Sequence, residues 1–235
     1  MHENITRIKA VNEILKELSQ DYVFVGGATV SLYVKDALEN DIRPTKDVDI
    51  IVELATYKGY SELDERLREI GFKNDITSGV ICRYNIQGIT VDFMPTHPEA
   101  IGFSNRWYPE GFENAIEHPI DTTSTVKIFS LPYFIASKWE AFKGRGTDFR
   151  TSTDFEDLVY VFENVEDLQS QLGNAPVHLR NYLREEFSQV LDRNAFEEGL
   201  TAHLRGGLRP VDPEHIRNIL RQSLDIPPPF KGYSR

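Results

Sequence analysis

Two aspartates separated by a single residue are the first side chains in this sequence that could do chemistry. Asp47 and Asp49 lie in Asp-Val-Asp-Ile-Ile-Val-Glu, whose β-branched residues predict a strand. Because successive side chains of a strand point to opposite faces, both carboxylates share one face while Val48 and Ile50 take the other. Paired carboxylates repel each other and gain nothing for folding. A divalent cation removes that penalty, and Mg²⁺ is held by one or two carboxylates plus substrate phosphates.

A third aspartate occupies the corresponding position of another predicted strand. In Ile-Thr-Val-Asp-Phe-Met the residues Ile89, Val91 and Phe93 form an apolar face, which sets Asp92 on the opposite one. If this strand lies beside the first, three carboxylates converge, and such a set can hold two cations for an in-line displacement at phosphorus. We expect Asp47, Asp49 and Asp92 to be both metal ligands and catalytic residues, with Asp92 accepting the proton of an attacking hydroxyl.

A glycine pair supplies a candidate phosphate-binding turn. Gly26 and Gly27 end the apolar run Tyr22–Val25, and a helix is predicted from Ala28 to Leu38. Glycines at such a turn let backbone N–H groups approach a phosphate closely, and a helix N-terminus adds partial positive charge. The turn therefore predicts a site for the phosphates of a nucleotide.

The elements that must position these residues divide the chain into two parts. Apolar spacing predicts helices over the first twenty residues and from Tyr57 to Ile70, and a further strand from Val126 to Phe129. Val80–Ile86 and Ile89–Met94 form a predicted hairpin around Gln87-Gly88.

From Pro132 onward the periodicity is helical, and Thr153-x-x-Glu156 has the form of a capping box. We predict an α+β fold: a mixed β-sheet flanked by helices, followed by a C-terminal helical region. The predicted domains are a catalytic domain over 1–130 and a helical domain over 131–235 that contributes to the nucleotide and acceptor cleft.

Composition limits the classes of protein to which the chain can belong. Its 235 residues are 40% apolar and 27% charged, as in an ordinary globular protein. The single cysteine, Cys82, allows no intrachain disulfide, and no segment is apolar enough for a signal peptide or a membrane span. We therefore expect a cytoplasmic protein without a membrane partner. A net charge of −11 argues against nonspecific binding of long nucleic acids.

Three segments together resemble the DNA polymerase β-like nucleotidyltransferases. They are Val25-Gly26-Gly27-Ala28, then Arg43-Pro-Thr45-Lys-Asp47-Val-Asp49-Ile, then Val91-Asp92-Phe93. The Gly-Gly form followed by Arg-x-Thr-x-Asp-x-Asp is most similar to the AbiEii-like branch, known as toxins of type IV toxin–antitoxin systems. The resemblance implies transfer of a nucleoside monophosphate from a nucleoside triphosphate, with Gly26, Gly27, Ala28 and Thr45 at the nucleotide. It also implies Mg²⁺, two ions if both sites fill, with Mn²⁺ as a substitute.

The second part of the chain extends the resemblance. Ser-Lys138-Trp-Glu-Ala-Phe-Lys-Gly-Arg145 and Thr-Asp154-Phe-Glu-Asp157-Leu are similar to the lysine helix and the Asp-x-x-Asp helix of that branch. By this resemblance Lys138 contacts the triphosphate, Arg145 assists it, and Asp157 or Asp154 completes the site. A solvated basic helix face is the simpler interpretation of Lys138 and Arg145 when they are considered alone.

The sequence leaves three functions open. The first is transfer to a macromolecular acceptor, tRNA or protein, in a toxin-like setting with a cognate antitoxin. The second is the same chemistry on a small molecule such as an aminoglycoside, for which an acidic surface is suited. The third is a non-catalytic remnant that binds nucleotide or a partner, although all three carboxylates are present.

Overall fold

The computed structural model describes residues 2–34, 42–146, 148–205 and 211–228. These form two compact units, residues 1–141 and 142–235. The functional domains expected for residues 1–130 and 131–235 stay a prediction.

A seven-stranded mixed sheet organises the first unit. Its strands run in the spatial order β3-β4-β5-β2-β1-β7-β6. In chain order they are β1 (Tyr22–Val25), β2 (Asp47–Val52), β3 (Lys73–Asn74), β4 (Arg83–Ile86), β5 (Ile89–Pro95), β6 (Ile116–Pro119) and β7 (Thr125–Ile128). β2 lies between antiparallel β1 and parallel β5. The predicted mixed sheet is thus confirmed.

The β4–β5 hairpin closes with the two-residue turn that the sequence predicts. Gln87 and Gly88 have φ of 50° and 80°, so both central residues are left-handed, as a type I′ turn requires. This turn sets the register, pairing Ile86 with Ile89 and, further along, Arg83 with Asp92. β4 begins at Arg83, three residues later than the predicted strand.

Two helices cover the face of the sheet opposite the aspartates. They are α1 (Glu3–Leu15) and α2 (Tyr57–Glu69), and both confirm the predicted amphipathic helices. One apolar core joins them to the sheet through side chains that are all buried: Ile8, Val11, Leu15, Leu63, Leu67, Val48, Ile50, Val91 and Phe93. The alternation of Val48 and Ile50 with Asp47 and Asp49 therefore directs both carboxylates away from this core.

The segment after the glycine pair differs from the sequence-based expectation. A 3₁₀ helix, Gly27–Leu32, replaces the predicted α-helix beginning at Ala28. All six of its residues are buried, and Thr29 donates its backbone N–H to the carbonyl of Gly26 in the tighter 3₁₀ pattern. Residues 35–38 of the predicted helix lie outside the described residues.

The segment from Pro95 to Pro119, for which no element was predicted, contributes two short helices and an edge strand. A 3₁₀ helix, Pro98–Ala100, and α3 (Tyr108–Glu113) precede β6. Gly111 of α3 lies against the Phe129 ring, where a Cβ atom would stand 2.5 Å from Cζ.

After β7, the regular elements of the described residues are helices, as predicted. α4 (Leu131–Arg145) is followed by α5 (Thr153–Asn164), α6 (Leu168–Gly173), α7 (Val177–Ser188), α8 (Asn194–His203) and α9 (Pro213–Ser223). The predicted capping box is wrong by one residue. Ser152, not Thr153, is the N-cap of α5, and its hydroxyl accepts the backbone N–H of Phe155 at 3.2 Å.

An aromatic cluster forms the core of the second unit. The rings of Phe142, Phe149, Phe155 and Phe196 contact one another in tilted and edge-to-face pairs, with centroids 4.7 to 5.7 Å apart. Gly199 of α8 allows this packing because a Cβ atom there would overlap Phe149. Within the described residues, no helix has the length and apolar character needed to cross a membrane.

Candidate active site

One lateral row of residues crosses four neighbouring strands. Arg83 on β4 is paired with Asp92 on β5, Asp92 with Asp49 on β2, and Asp49 with Val25 on β1. Adjacent strands place paired residues about 4.5 to 5.5 Å apart. The row therefore puts a guanidinium, two carboxylates and the end of the strand that precedes Gly26 at one level of the sheet.

Asp47 joins the row from the same face of β2. Its backbone carbonyl accepts the Thr45 hydroxyl at 3.1 Å, and that hydroxyl also lies 3.3 Å from Oδ1 of Asn4. The Thr45 backbone N–H donates to the same Asn4 oxygen at 2.9 Å. Asn4 and Thr45 are both buried. The structure thus places Thr45 as an anchor between α1 and the start of β2, where it positions Asp47. Its expected contact with nucleotide stays a prediction.

The backbone of Gly26 packs closely against the carboxylate of Asp49. Its φ of 72° and ψ of −165° belong to a region that is essentially restricted to glycine. A Cβ atom at this position would overlap Oδ2 of Asp49 and stand 2.7 Å from its Cγ. The glycine turn therefore makes room for Asp49, which the sequence did not foresee.

The turn provides less partial positive charge for binding an anion than the sequence predicts. The helix that follows Gly26 is a short 3₁₀ element, so the partial charge expected from an α-helix N-terminus is smaller. Ala28 is buried within it. Nucleotide binding by Gly26, Gly27 and Ala28 stays a prediction that rests on their backbone groups.

Arg83 links two of the three carboxylates. Its Nε donates to Oδ1 of Asp92 at 2.8 Å, and its Nη2 donates to Oδ2 of Asp92 at 2.7 Å. The same Nη2 lies 3.1 Å from Oδ2 of Asp47. The side chain of Asp92 is only 10% exposed and that of Arg83 25%, so water screens this pair only partly. Charge-assisted hydrogen bonds of this kind contribute about 1.5–3 kcal/mol each.

The electrostatics of neighbouring groups reflect this concentration of charge. Hydrogen bonding to Asp92 raises the pKa of the Arg83 guanidinium above its usual range, and the charge of Asp47 acts in the same direction. Burial, together with the negative charges of Asp92 and Asp49, raises the pKa of the Cys82 thiol to about 12. Cys82 is therefore a protonated, buried thiol beside the row.

The carboxylate oxygens suit a hard cation by their chemistry, but they are not arranged as a complete metal site. Across the described ranges, no three carboxylate, imidazole or thiol side chains are grouped so as to hold a metal ion as they stand. A positively charged nitrogen nevertheless contacts both Asp47 and Asp92, so these oxygens already converge on one cationic group. Carboxylate oxygens are the ligands that Mg²⁺ prefers. The chemistry of these oxygens suits a divalent cation, and in this structure the Arg83 guanidinium contacts them.

The remaining predicted residues lie on the helices after the sheet. Lys138 is buried within α4, at 8% exposure. Arg145, the last residue of α4, donates to both oxygens of Asp154 at 3.1 and 3.3 Å, and Asp154 is buried near the start of α5. Asp157 is buried one turn further along α5. Nucleotide contacts of Lys138, Arg145 and Asp157 stay predictions.

Arg83 is the residue that sequence reasoning missed. The signal was present, because a two-residue turn at Gln87-Gly88 requires Arg83 to face Asp92 across the hairpin. Asn4 was also missed, and no pattern in the sequence relates it to Thr45.

Structures similar to this one include nucleotidyltransferase-like proteins. The solution structure of the antibiotic-resistance factor ANT(2'')-Ia has a TM-score of 0.50 at 14% identity, covering 79% of this chain and 94% of that one. An antigenic nucleotidyltransferase-like protein from Paracoccidioides brasiliensis has a TM-score of 0.48 at 18% identity, covering 86% and 94%. JHP933 from Helicobacter pylori has a TM-score of 0.44 at 12% identity, covering 96% and 91%. At 14% identity, the similarity to ANT(2'')-Ia concerns the fold alone.

A search of curated protein sequences finds no significant match. The family model described as "Nucleotidyl transferase AbiEii toxin, Type IV TA system" matches residues 11–231. Because this match spans nearly the whole sequence, including the glycine turn, all three aspartates and both later helices, the chain belongs to the AbiEii family of nucleotidyltransferases.

Proposed function

We propose that the chain transfers a nucleoside monophosphate from a nucleoside triphosphate to a hydroxyl group of a macromolecule, in a reaction that depends on a divalent cation. The observation that carries the proposal is the lateral row, in which Asp49 and Asp92 are register partners and Asp47 shares a guanidinium with Asp92. Like charges directly opposite each other on neighbouring strands are destabilising, so the register pairing of Asp49 with Asp92 is better explained by chemistry than by folding.

Asp47, Asp49 and Asp92 are the residues that would hold the cation. Mg²⁺, or Mn²⁺ in its place, supplies charge neutralisation for the phosphates and for the oxygens that enter and leave. The acceptor oxygen forms a bond to the α-phosphorus, the bond from that phosphorus to the bridging oxygen breaks, and pyrophosphate leaves. Asp92 is the proposed acceptor of the hydroxyl proton, as its position on the carboxylate face allows.

The backbone around the glycine turn positions the substrate. Gly26 has no side chain, so the triphosphate and the Asp49 carboxylate can approach the same stretch of backbone. Lys138 is proposed to neutralise the triphosphate, and the roles expected of Arg145 and Asp157 stay predictions. Phosphoryl transfer gains most of its rate from such positioning and charge neutralisation.

The acceptor is proposed to be tRNA or protein, and the setting to be that of a toxin with a cognate antitoxin. Membership of the AbiEii toxin family supports this choice over a small-molecule acceptor. An aminoglycoside acceptor is instead treated as one outcome of the experiment that follows.

Transfer is tested by incubating the purified chain with each α-³²P-labelled nucleoside triphosphate and Mg²⁺. Total tRNA, a protein lysate and an aminoglycoside panel are offered as acceptors. We expect Asp49→Ala to reduce incorporation by at least ~1,000-fold, since electrostatic stabilisation of the transition state is lost. Glu53→Ala, at the exposed residue that directly follows the same strand, is the matched control and should transfer at the wild-type rate.

Each outcome identifies a different function. Label in tRNA or protein supports the proposal, whereas label only in the drug panel shows a small-molecule enzyme. If wild-type protein and Asp49→Ala are indistinguishable with every nucleotide and acceptor, the catalytic proposal fails and a non-catalytic binding role replaces it. Circular dichroism of Asp49→Ala should match wild type, because its side chain lies outside the core.

A further inference from the structure

We propose that Arg83 is a built-in counter-cation, which holds Asp47 and Asp92 in the metal-free protein and has to leave them before a divalent cation binds. The inference rests on the proposed metal-dependent function. It assigns Arg83 as a positioning residue that competes with the cation and thereby sets how much metal is needed to load the site.

The geometry of Arg83 resembles that of a bound cation. Nη2 contacts one oxygen of each carboxylate, Asp92 at 2.7 Å and Asp47 at 3.1 Å, while Nε holds the second oxygen of Asp92 at 2.8 Å. Both oxygens of Asp92 are therefore engaged by one planar fork, the arrangement in which arginine binds carboxylates most strongly.

Arg83 and a divalent cation exclude each other at these oxygens. A Mg²⁺ ligand oxygen lies about 2.0–2.1 Å from the metal, and the ion demands nearly ideal octahedral geometry. An ion bound to Asp92 would lie within a few ångströms of the guanidinium, where two positive charges repel in a site screened only partly by water. Occupation by the metal thus requires the ion pair to break.

The surroundings of Arg83 allow its side chain to leave without disturbing the sheet. Both backbone groups of Arg83 are hydrogen-bonded. Its N–H donates to the carbonyl of Val80 at 3.2 Å, and its carbonyl accepts the N–H of Asp75 at 2.9 Å. The side chain is 25% exposed, and it follows the loop 75–82, whose Ile76 and Ile81 are themselves exposed. A rotation of the side chain toward solvent therefore crosses no packed core.

The same contact controls when Asp92 can act. Both oxygens of Asp92 accept hydrogen bonds from Arg83, so Arg83 competes with an acceptor hydroxyl for these oxygens as it does with a cation. Release of Arg83 therefore couples metal binding to the availability of the proposed proton acceptor.

Metal affinity is the direct test, measured by electron paramagnetic resonance of free Mn²⁺ during titration of the wild type, Arg83→Gln and Arg83→Lys. We expect Arg83→Gln to bind Mn²⁺ about tenfold more tightly, because no ion pair has to break first. Arg83→Lys keeps the charge but loses the fork and should fall between the two. Arg66→Gln is the matched control, since Arg66 pairs with Glu69 on the exposed surface of α2, and its affinity should equal that of wild type.

Stability without metal provides a second readout that does not depend on turnover. Loss of Arg83 leaves Asp92 with an uncompensated negative charge, so Arg83→Gln should melt below wild type in EDTA. Adding Mg²⁺ should raise the Tm of Arg83→Gln more than that of wild type, as expected for a ligand that binds the folded state more tightly.

A measurement on unmutated protein covers the case in which Arg83→Gln fails to fold. The ¹⁵Nε–H resonance of Arg83, assigned by its absence in Arg83→Lys, should be protected from exchange without metal. It should shift and exchange faster when Mg²⁺ saturates the site.

The outcomes separate this inference from the proposed function. If wild type binds Mn²⁺ through the aspartates and Arg83→Gln binds it equally or less tightly, the competition is refuted while the metal site stands. A guanidinium resonance unchanged by saturating Mg²⁺ refutes it as well. If neither wild type nor Arg83→Gln binds Mn²⁺, both the inference and the metal-dependent mechanism fail.

Discussion

Substituting Gly26 by alanine should disable the site by displacing one carboxylate. The added Cβ would overlap Oδ2 of Asp49 and lie 2.7 Å from Cγ and 2.9 Å from Cβ of that residue. Restoring ordinary contact distances requires the carboxylate to move by roughly 1 Å, a displacement that can lower turnover about 100-fold. The backbone conformation at Gly26 also disfavours alanine by about 1–3 kcal/mol.

The assay compares Gly26→Ala with Gly79→Ala. Gly79 has a φ of 70°, close to the 72° of Gly26, but a Cβ there would meet no atom within 4 Å. Gly79→Ala should therefore lose about 1–2 kcal/mol of unfolding free energy from the positive φ and keep its transfer rate. The difference between the two variants in nucleotide transfer separates the displacement of Asp49 from the effect of a Cβ atom at a positive φ.

A double-mutant cycle with Asp49→Ala examines the contact itself. Removing the carboxylate takes away the two shortest overlaps, so Gly26→Ala should be less destabilising in that background by about 1 kcal/mol in urea unfolding. Equal transfer rates for Gly26→Ala and Gly79→Ala would refute the reasoning. Additive free energies of unfolding in the double-mutant cycle would also refute the reasoning.

Two further predictions concern stability away from the site. Gly199→Ala should destabilise by about 1–3 kcal/mol in urea unfolding, despite the better helix propensity of alanine, because its Cβ would overlap Phe149 and lie 2.9 Å from Phe155. Gly144 is exposed on α4, and a Cβ atom there would meet no atom within 4 Å, so Gly144→Ala should be neutral or stabilising. Equal losses of unfolding free energy in the two variants would contradict the packing argument. The hydrogen bond from Lys9, together with those from Thr123, holds the pKa of Asp121 well below its usual value, so its stabilising contribution is present above pH ~4 and is lost as the pH falls toward the folded-state pKa. The Tm difference between wild type and Asp121→Asn should accordingly shrink between pH 5 and pH 2, and a constant gap would exclude Asp121 as the titrating group.

Local patterns in the sequence were sufficient for most elements of the fold. Alternation placed Asp47 and Asp49 opposite the buried Val48 and Ile50, because the period of a strand is two residues whatever surrounds it. The Gln87-Gly88 turn predicted the hairpin, since only a few residue pairs favour two left-handed conformations in succession.

Predictions from the sequence were wrong where contacts with residues distant in the chain decide the local structure. The segment after Gly26 has good helical spacing, yet a 3₁₀ helix forms, and every one of its residues is buried against other parts of the unit. Propensity is a weak prior when tertiary packing opposes it. At α5 the N-cap is Ser152, one residue earlier than the predicted Thr153.

The sequence alone determined which face of each strand carries a carboxylate, because side-chain direction is a local property of the backbone. Only the tertiary structure decided that β2 lies parallel to β5, so that Asp49 meets Asp92, and that Arg83 reaches both Asp92 and Asp47. Strand order depends on contacts between residues far apart in the chain, and no local period encodes it. The carboxyl-binding arginine and the glycine fitted against Asp49 are consequences of that order.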